Sequence, residues 1–299
     1  NPPIDPIREE LVMSLATYLG PEKNILSDGE DHCRKLLVAR PIISDIEIEK
    51  IRKIKNNGFK TRSISLIFKA GGKIDLVKEL KRIFREAESA IRAGYTFIIL
   101  SDRGVNKDYA AIPSLLAVSG LHHYLVRRSL RTQISIILES AEPREVQHFA
   151  LLFAYGVDCV NPYLAFKAVE SLVIDKDLDL DLEKAKDNYV KAIDKGILKV
   201  LSKMGISTLQ SYRGAQIFEA VGLNQAVIDE YFTGTVSRIN GASLDTITQE
   251  TLMRHKEAFP SRPLKRDYLD IGGAYQWRRD GEFHLWNPES IAALQDAAR

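Results

Sequence analysis

The alternation of apolar and polar positions divides the chain into a regular middle and less regular flanks. After Gly58, Ile64, Leu66 and Phe68 alternate with polar neighbours, the period of a half-buried strand. Asp75 then precedes Leu76, Leu80, Ile83, Phe84, Ala87 and Ile91, which recur at helical spacing up to Gly94. A helix capped by Asp75 is predicted there. Tyr95–Leu100 is a short apolar run, and Pro113 stands where a first helical residue would, opening a helix through about Arg131. Gln133–Leu138 reads as the next strand, Pro143–Tyr155 as a helix and Val157–Val160 as a further strand. Strands apolar throughout, alternating with helices, pair in parallel beneath helices that cover the sheet. The fold class is therefore α/β, either part of a (β/α) barrel or a doubly wound sheet; periodicity does not separate the two.

The flanks read differently. Two helices are predicted in the first 58 residues, one from about Pro6 to Leu19 stopping at Gly20-Pro21. The other runs from Asp45 to Asn57 with Gly58 as its stop, and Leu36-Leu37-Val38 lies between them. Asp175, Asp177, Asp179, Asp181, Glu183 and Asp187 form an acidic stretch with the character of a solvated linker. A domain boundary is expected within 175–187, giving domains 1–186 and 187–299. Beyond it a helix carries Val190, Ile193, Ile197 and Leu201, and residues 224–290 are irregular. That part is expected to be mainly helical or irregular.

Composition narrows the classes of function. Lys+Arg number 42 against Asp+Glu 40, a net charge of +2, so the concentrated basic face of a nucleic-acid binder is not expected. Two cysteines, Cys33 and Cys159, cannot build a disulfide framework, a four-thiolate zinc site or an iron–sulfur cluster. No apolar run is long enough for a membrane span, and a cytoplasmic protein is expected. The chain opens on Asn1-Pro2-Pro3 without an initiator Met or a secretory leader, and it closes within helix formers at Arg299. A segment of a longer polypeptide is the expectation.

Candidate chemistry lies at the carboxyl ends of the parallel strands, where ligands of such sheets bind. Those positions are Ser101, Asp102 and Arg103, then Glu139, Ser140 and Glu142, then Asn161 and Pro162. Each also has the ordinary role of starting a loop or capping a helix. His122, His123 and His148 lack a metal-binding spacing, and a packed or hydrogen-bonded role is favoured. Cys159 sits in an apolar strand and Cys33 has no nearby base. Ser202-Lys203-Met204-Gly205 with Ile206-Ser207-Thr208 offers a Lys and small hydroxyls that suit a phosphate or flavin edge. The same residues also read as a helix end at Gly205, followed by a new cap.

Several stretches, in order over nearly the whole chain, resemble the large chain of glutamate synthase. They are Asn1–Glu10 with Met13-Ser14-Leu15, Leu100–Val105, Arg131-Thr132-Gln133, Arg144-Glu145-Val146 with His148-Phe149-Ala150, and Asn161–Ala165. Ser202–Thr208, Tyr212–Ala220, Phe259–Pro263 and Leu294–Arg299 resemble the beginning of that enzyme's FMN-binding domain. The resemblance implies an enzyme that makes glutamate from glutamine and 2-oxoglutarate. An amidotransferase domain releases ammonia, a tunnel carries it, and a barrel with FMN and a 3Fe–4S cluster completes the reaction. Electrons come from an NADPH-oxidising subunit or from ferredoxin.

The resemblance further implies that this segment is the central, linking domain: an incomplete or altered barrel that binds no cofactor, followed by the start of the FMN domain. It places Met13, Ser44 and Asp45 near the ammonia tunnel, and Ser202, Lys203, Met204 and Gly205 as cofactor contacts. No Cys begins the chain and the cluster motif is missing, so the segment is expected to be inactive alone, with no bound cofactor and no catalytic or metal-binding residue of its own. Phe232, Phe259, Tyr275, Trp277 and Trp286 are expected to be left with incomplete packing, exposing apolar surface. The alternatives are a free-standing, non-catalytic β/α scaffold or binding module, and a free-standing flavin enzyme resting on Ser202–Thr208.

Overall fold

A computed structural model describes residues 2–5, 7, 10–56, 58–72, 74–260, 271–273 and 276–299. Two compact units divide the chain, residues 1–257 and 258–299. In the first, a parallel sheet is formed by β3 (Thr61–Ser65), β5 (Phe97–Ser101), β7 (Ser135–Glu139) and β8 (Cys159–Asn161), side by side in that order. The connections are α2 (Leu76–Arg92), α3 (Ser114–Arg127) and α4 (Val146–Ala154). These are the β/α units expected from the sequence, and among the described residues they form an open sheet, an incomplete barrel.

Alternate positions of the strands serve two cores. Ile64, Ile98, Leu100, Ile136, Leu138 and Val160 pack with the buried faces of α2, α3 and α4. Phe97, Ile99, Ile137 and Cys159 pack on the other side with Ile48 and Ile51 of α1 (Asp45–Lys53), and with Leu19, Ile43 and Phe59. Both faces of β5, β7 and β8 are therefore dry, which is why these strands are apolar without alternation, while at the edge strand β3 only Ile64 is buried. Burying each such side chain stabilises the fold by roughly 1.5–3 kcal/mol.

A further strand-like segment completes the sheet. Ile42 bridges Val160 in parallel, Ile43 N–H donates to the Val160 carbonyl at 2.9 Å, and Val160 N–H donates to Pro41 at 2.8 Å. Residues 41–43 thus lie beside β8, at the opposite edge from β3.

Several expectations are corrected. The helix expected over 6–19 is absent from its described part. Glu10–Val12 forms a single 3-10 turn, and Thr17–Leu19 is strand β1, antiparallel to β2 (Leu36–Val38). The reason is the period: Leu15, Thr17 and Leu19 are buried while Tyr18 is exposed, which is strand spacing. Helix α1 stops at Lys53 because Ile54 takes extended backbone, before Gly58 is reached. Helix α3 ends at Arg127, short of Arg131. The run Ile64–Phe68 is split: β3 joins the parallel sheet, and β4 (Ile67–Lys69) pairs with β6 (Tyr109–Ala111).

The acidic stretch begins at the end of α5 (Tyr163–Ile174) and passes into α6 (Leu182–Lys203), whose amino end Asp181 caps. Val190, Ile193, Ile197 and Leu201 of α6 are buried in the core that holds Phe149 and Phe153 of α4. A short helix α7 (Leu209–Tyr212) follows. The part after the acidic stretch, expected to be mainly helical or irregular, contains a parallel pair, β9 (Glu219–Leu223) and β10 (Val236–Ala242), joined through α8 (Gln225–Tyr231). Helix α9 (Leu244–Ala258) closes this part. Phe232 is buried, with its ring edge-on to Tyr155 at 5.4 Å, contrary to the expectation that incomplete packing would leave it exposed.

In the second unit, Glu282 N–H donates to the Gly272 carbonyl at 2.8 Å. Asn287 and Ser290 form a capping box for α10 (Pro288–Ala297). Trp277 and Trp286 are exposed, as are Phe283 and Leu285. Tyr275 lies outside the described residues.

Candidate functional site

The register of the parallel sheet aligns its last residues in one row. Ser65 pairs with Ser101, Ser101 with Glu139, and Glu139 with Asn161. The row has the parity of Phe97, Ile99, Ile137 and Cys159, so it sits over the smaller core on the α1 side. In β5, β7 and β8 apolar residues give way to polar ones at the same level.

Glu139 is the centre of this row. Its side chain is 2% exposed and accepts from Ser101 at 2.5 Å, Arg103 Nε at 2.6 Å and Arg52 Nη2 at 2.9 Å. Burial alone would raise its pKa, but hydrogen bonds from Ser101, Arg103 and Arg52 outweigh it and hold the carboxyl below its ordinary value. Arg103 also reaches Asp45 at 3.2 Å and lies 4.1 Å from the centre of the Tyr163 ring. Asn161 donates to the Ile43 carbonyl at 3.0 Å and to Asp45 at 3.1 Å. One position further on, Asp102 accepts from Ser140 at 2.5 Å, from the Ala141 N–H at 3.0 Å and from the Tyr163 hydroxyl. Burial pushes the Asp102 carboxyl up, and burial beside Asp102 pushes the Tyr163 hydroxyl up.

The structure therefore joins Ser101, Asp102, Arg103, Glu139, Ser140 and Asn161, all anticipated from strand ends, and adds Asp45. Glu142 instead holds the Ser114 N–H at 2.7 Å and the Ser114 hydroxyl, anchoring α3, while Pro162 precedes α5. Arg52 and Tyr163 were missed. Arg52 lies on a helix remote in sequence from these strand ends, whereas Tyr163 opens α5 two residues after Asn161, where the strand-end rule could have included it. Chemically, the arrangement ties carboxylates to guanidiniums and hydroxyls. A carboxylate held by two arginines is a poor proton acceptor, so this is a clasp across the mouth of the sheet.

Ser44 and Asp45 have a second aspect. Ser44 caps α1 in a reciprocal box with Glu47, accepting its N–H at 3.2 Å while Glu47 accepts from Ser44 N–H at 2.7 Å. Both residues line a cleft of about 460 Å3. Its floor includes Ile42, Ile43, Phe166 and Val190, and Lys50, Glu183 and Lys186 stand among its charged walls.

Met13 lies elsewhere. It packs on the larger core, and Ser14 pairs with the α6–α7 corner through Ser14 N–H to Ser207 at 2.8 Å and Leu209 N–H to Ser14 at 3.2 Å. The structure thus brings Met13's segment beside Ser202–Thr208 and leaves Ser44 and Asp45 with the strand-end clasp. Within that corner, Gly205 takes φ +66° and ends α6. Its N–H donates to Ser202 and that of Ile206 to Leu201, a pairing that needs a residue free to turn left-handed. The Ser202 hydroxyl donates to Lys199 at 2.8 Å, Thr208 caps α7, and Lys203 is exposed. The Ser202 and Thr208 hydroxyls are thus engaged in ending one helix and starting the next, while the Lys203 side chain extends into solvent. Met204 and Gly205 line an open pocket with Ser207 and Ser211.

At the amino ends of β7 and β8 lies a second polar cluster. Asp158 accepts from Ile136 N–H at 2.7 Å, Arg131 at 3.1 Å and Arg213 at 2.7 Å. Arg131 also donates to His122 Nδ1 at 3.0 Å. Burial, with the charges of Arg131, His123 and Arg213, depresses the His122 pKa to about 3, so it is a neutral acceptor. His148 Nδ1 accepts from Arg144 and Glu145 N–H groups at the start of α4. Burial pushes the Cys159 thiol well up, which suits an inert packed group, and Cys33 is exposed.

Fold and site together define a parallel β/α scaffold whose strand-end side chains bond to one another. Residues 1–224 match the glutamate synthase central domain. The chain is 46% identical, over its full length, to the NADPH glutamate synthase large chain of Bacillus subtilis, of which it covers 19%. It is 41% identical over its full length to the NADH glutamate synthase of Schizosaccharomyces pombe, covering 14%. Over 99% of its length it is 35% identical to a ferredoxin-dependent glutamate synthase of Synechocystis, covering 20%. The chain belongs to the glutamate synthase central domain family, and it spans at most about a fifth of the length of these relatives. Among solved structures, a flavocytochrome b2 variant with sulfite bound aligns over 68% of this chain and 48% of its own, at 12% identity and a TM-score of 0.38. That likeness is too distant to carry an argument.

Proposed function

We propose that this chain is the connecting part of a glutamate synthase, which converts glutamine, 2-oxoglutarate and reductant into two glutamates. It links a glutaminase site to an FMN site, helps to form the passage for ammonia and performs no chemistry alone. The observation that carries this reading is the clasp. Where a parallel sheet of this kind offers its ligand site, Arg52, Arg103 and Ser101 hold Glu139, Arg103 and Asn161 reach Asp45, and Ser140 holds Asp102. A scaffold retained for its shape has no use for an open mouth there.

Residues 1–186 act as the linking domain and 187–299 begin the FMN-binding domain, with α6 shared between them. It starts in the acidic stretch and packs on α4 and α5. Ser44 and Asp45, on the wall of the cleft, are the residues best placed to border a passage, whereas Met13 supports the α6–α7 corner. FMN and the 3Fe–4S cluster belong to the rest of the enzyme. Amidotransferase and FMN domains of the same polypeptide are its direct partners, and the electron donor, an NADPH- or NADH-oxidising component or ferredoxin, differs between relatives. A cytoplasmic location fits two free cysteines, one of them exposed.

The test is a titration of the purified chain with FMN, following flavin fluorescence, together with an assay for glutamate formation. The expected outcome is no saturable quenching and no product. Stoichiometric FMN binding would mean that Ser202–Gly205 or the strand ends form a cofactor site, and the reading would fall.

A further inference from the structure

Strands β9 and β10 form a sheet with only one finished face. They run parallel, and among the described residues neither pairs with a third strand, so each keeps an open edge. On the inner side Ala220 and Leu223 pack on the larger core, which also holds Val227, Ile228 and Tyr231 of α8. The outer side is bare: Val221 is 71% exposed, Val236 53% and Ile239 58%. The register sets Ile239 beside Val221 and Val236 beside Glu219, so the three apolar side chains share that face. Parallel sheets are as a rule covered on both faces, and two strands alone are marginal in water.

The ribbon is nonetheless a specifically built joint. Strand β10 holds one extra residue between Ser237 and Ile239 and another between Ile239 and Ala242. A Cβ on Gly241 would stand 2.3 Å from the Gly222 carbonyl oxygen, so the two backbones touch where only glycine fits. Irregularities of this kind pin the register and with it the outward face. The joint is also fixed to the body of the unit, since the Ser119 hydroxyl of α3 donates to the Tyr231 carbonyl at the end of α8 at 2.5 Å.

Position along the chain and charge indicate what covers the face. The match to the central domain ends at residue 224, one residue after β9, and β10 lies past it. The ribbon thus staples the last strand of that domain to the polypeptide that follows, and the chain spans only 14–20% of the length of its relatives. Glu219 and Arg238 are the only charged residues of the two strands, and they pair with each other at 3.4 Å. No net charge is left there for a partner to meet, so an apolar centre with a polar border is presented.

We propose that the outer face of β9 and β10 is the seat on which the remainder of the FMN-binding domain of the same polypeptide docks, covering Val221, Val236 and Ile239 with an apolar, uncharged face. This deepens the connecting role proposed above and rests on it. Once covered, the ribbon has the second dry face that parallel strands require.

Hydrogen exchange read by mass spectrometry, comparing the 299-residue chain with the complete polypeptide that carries it, tests the seat. Peptides spanning 219–223 and 236–242 should exchange about tenfold or more slowly in the complete polypeptide, while those of β5 and β7 stay unchanged. Equal exchange in a complete polypeptide that forms glutamate from glutamine and 2-oxoglutarate overturns the seat alone. A complete polypeptide that forms no glutamate overturns the reading beneath it, and the seat with it. Val221→Lys combined with Ile239→Lys should leave the melting temperature of the 299-residue chain nearly unchanged, because both side chains are exposed, yet abolish the slow exchange in the complete polypeptide. A concentration-dependent dimer of the chain that this double variant dissociates would give the face to a second copy and overturn the proposal. The wild-type comparison decides the matter even where the variant fails to fold.

Discussion

Gly196 tests how firmly α6 is built into the body of the first unit. Alanine at an interior helical glycine ordinarily gains about 1 kcal/mol of helix stability. Here a Cβ would stand 2.3 Å from Val146 Cγ2 and 2.8 Å from Cγ1. Carbon atoms in good contact lie roughly 3.5–4 Å apart, so the overlap exceeds about 1 Å. Val146 is the first residue of α4 and β-branched, which restricts its rotation. Helices α4 and α6 must therefore separate or bend. Overpacking of this kind costs about 1–3 kcal/mol, and two clashing methyls place it near the upper end. Against the propensity gain, Gly196→Ala is expected to destabilise by about 1–2 kcal/mol.

The double variant separates the causes. Val146→Ala alone loses about 1 kcal/mol of burial, but it removes the atoms in conflict. Gly196→Ala on that background should regain stability, giving a coupling of about 2–3 kcal/mol. Urea unfolding followed by circular dichroism of the four proteins measures it. If Gly196→Ala stabilises the wild-type chain, or the two changes add, then α4 and α6 do not pack as described. Because the acidic stretch separates the two positions in sequence, the coupling also measures how closely α6 joins the linking domain.

Two further outcomes follow from the polar clusters. His122 is held neutral, so its contribution is present above its unfolded pKa near 6.5 and is lost as pH falls through the window down to about 3. At about 1.4 kcal/mol per pKa unit the ceiling is about 5 kcal/mol, and His122→Asn should flatten the fall in stability relative to wild type; parallel pH profiles would contradict this. Glu139→Gln keeps the shape of the clasp and removes the charge shared by Arg52 and Arg103. Since Arg52 and Arg103 reach solvent, the loss should be about 2 kcal/mol, less than for a fully enclosed pair, and an unchanged melting temperature would remove Glu139 from its central role.

The parallel β/α middle was legible because burial on both faces writes long apolar runs, and because Asp75 marks its helix without ambiguity. The strand-end residues were legible for a related reason: Ser101, Glu139 and Asn161 are the first polar positions after those runs. Their purpose was not. Whether such a row meets a ligand or closes on itself depends on Arg52, which arrives from a helix distant in sequence, and on Tyr163, whose ring folds back from the start of α5 onto Arg103. Strand β1 was misread because Leu11 and Leu15 also satisfy a helical spacing, and only the pairing of Tyr18 with Leu37 decides between them. Residues 41–43 are too few to show a period. The carboxyl-terminal aromatics behave unevenly: Phe232 finds Tyr155, while Trp277 and Trp286 remain exposed.

The segment 41–43 has a consequence for how the chain acquires its fold. It precedes every other strand of the parallel sheet, yet it docks on β8, the last of them. As synthesis proceeds from the amino end, it therefore waits, unpaired, until Val160 has emerged and β8 is in place. Closing so long a loop is entropically slow, so the edge of β8 is the last to be sealed. Until then its free N–H and C=O groups can capture another strand, which leaves the nascent sheet open to mispairing at that edge.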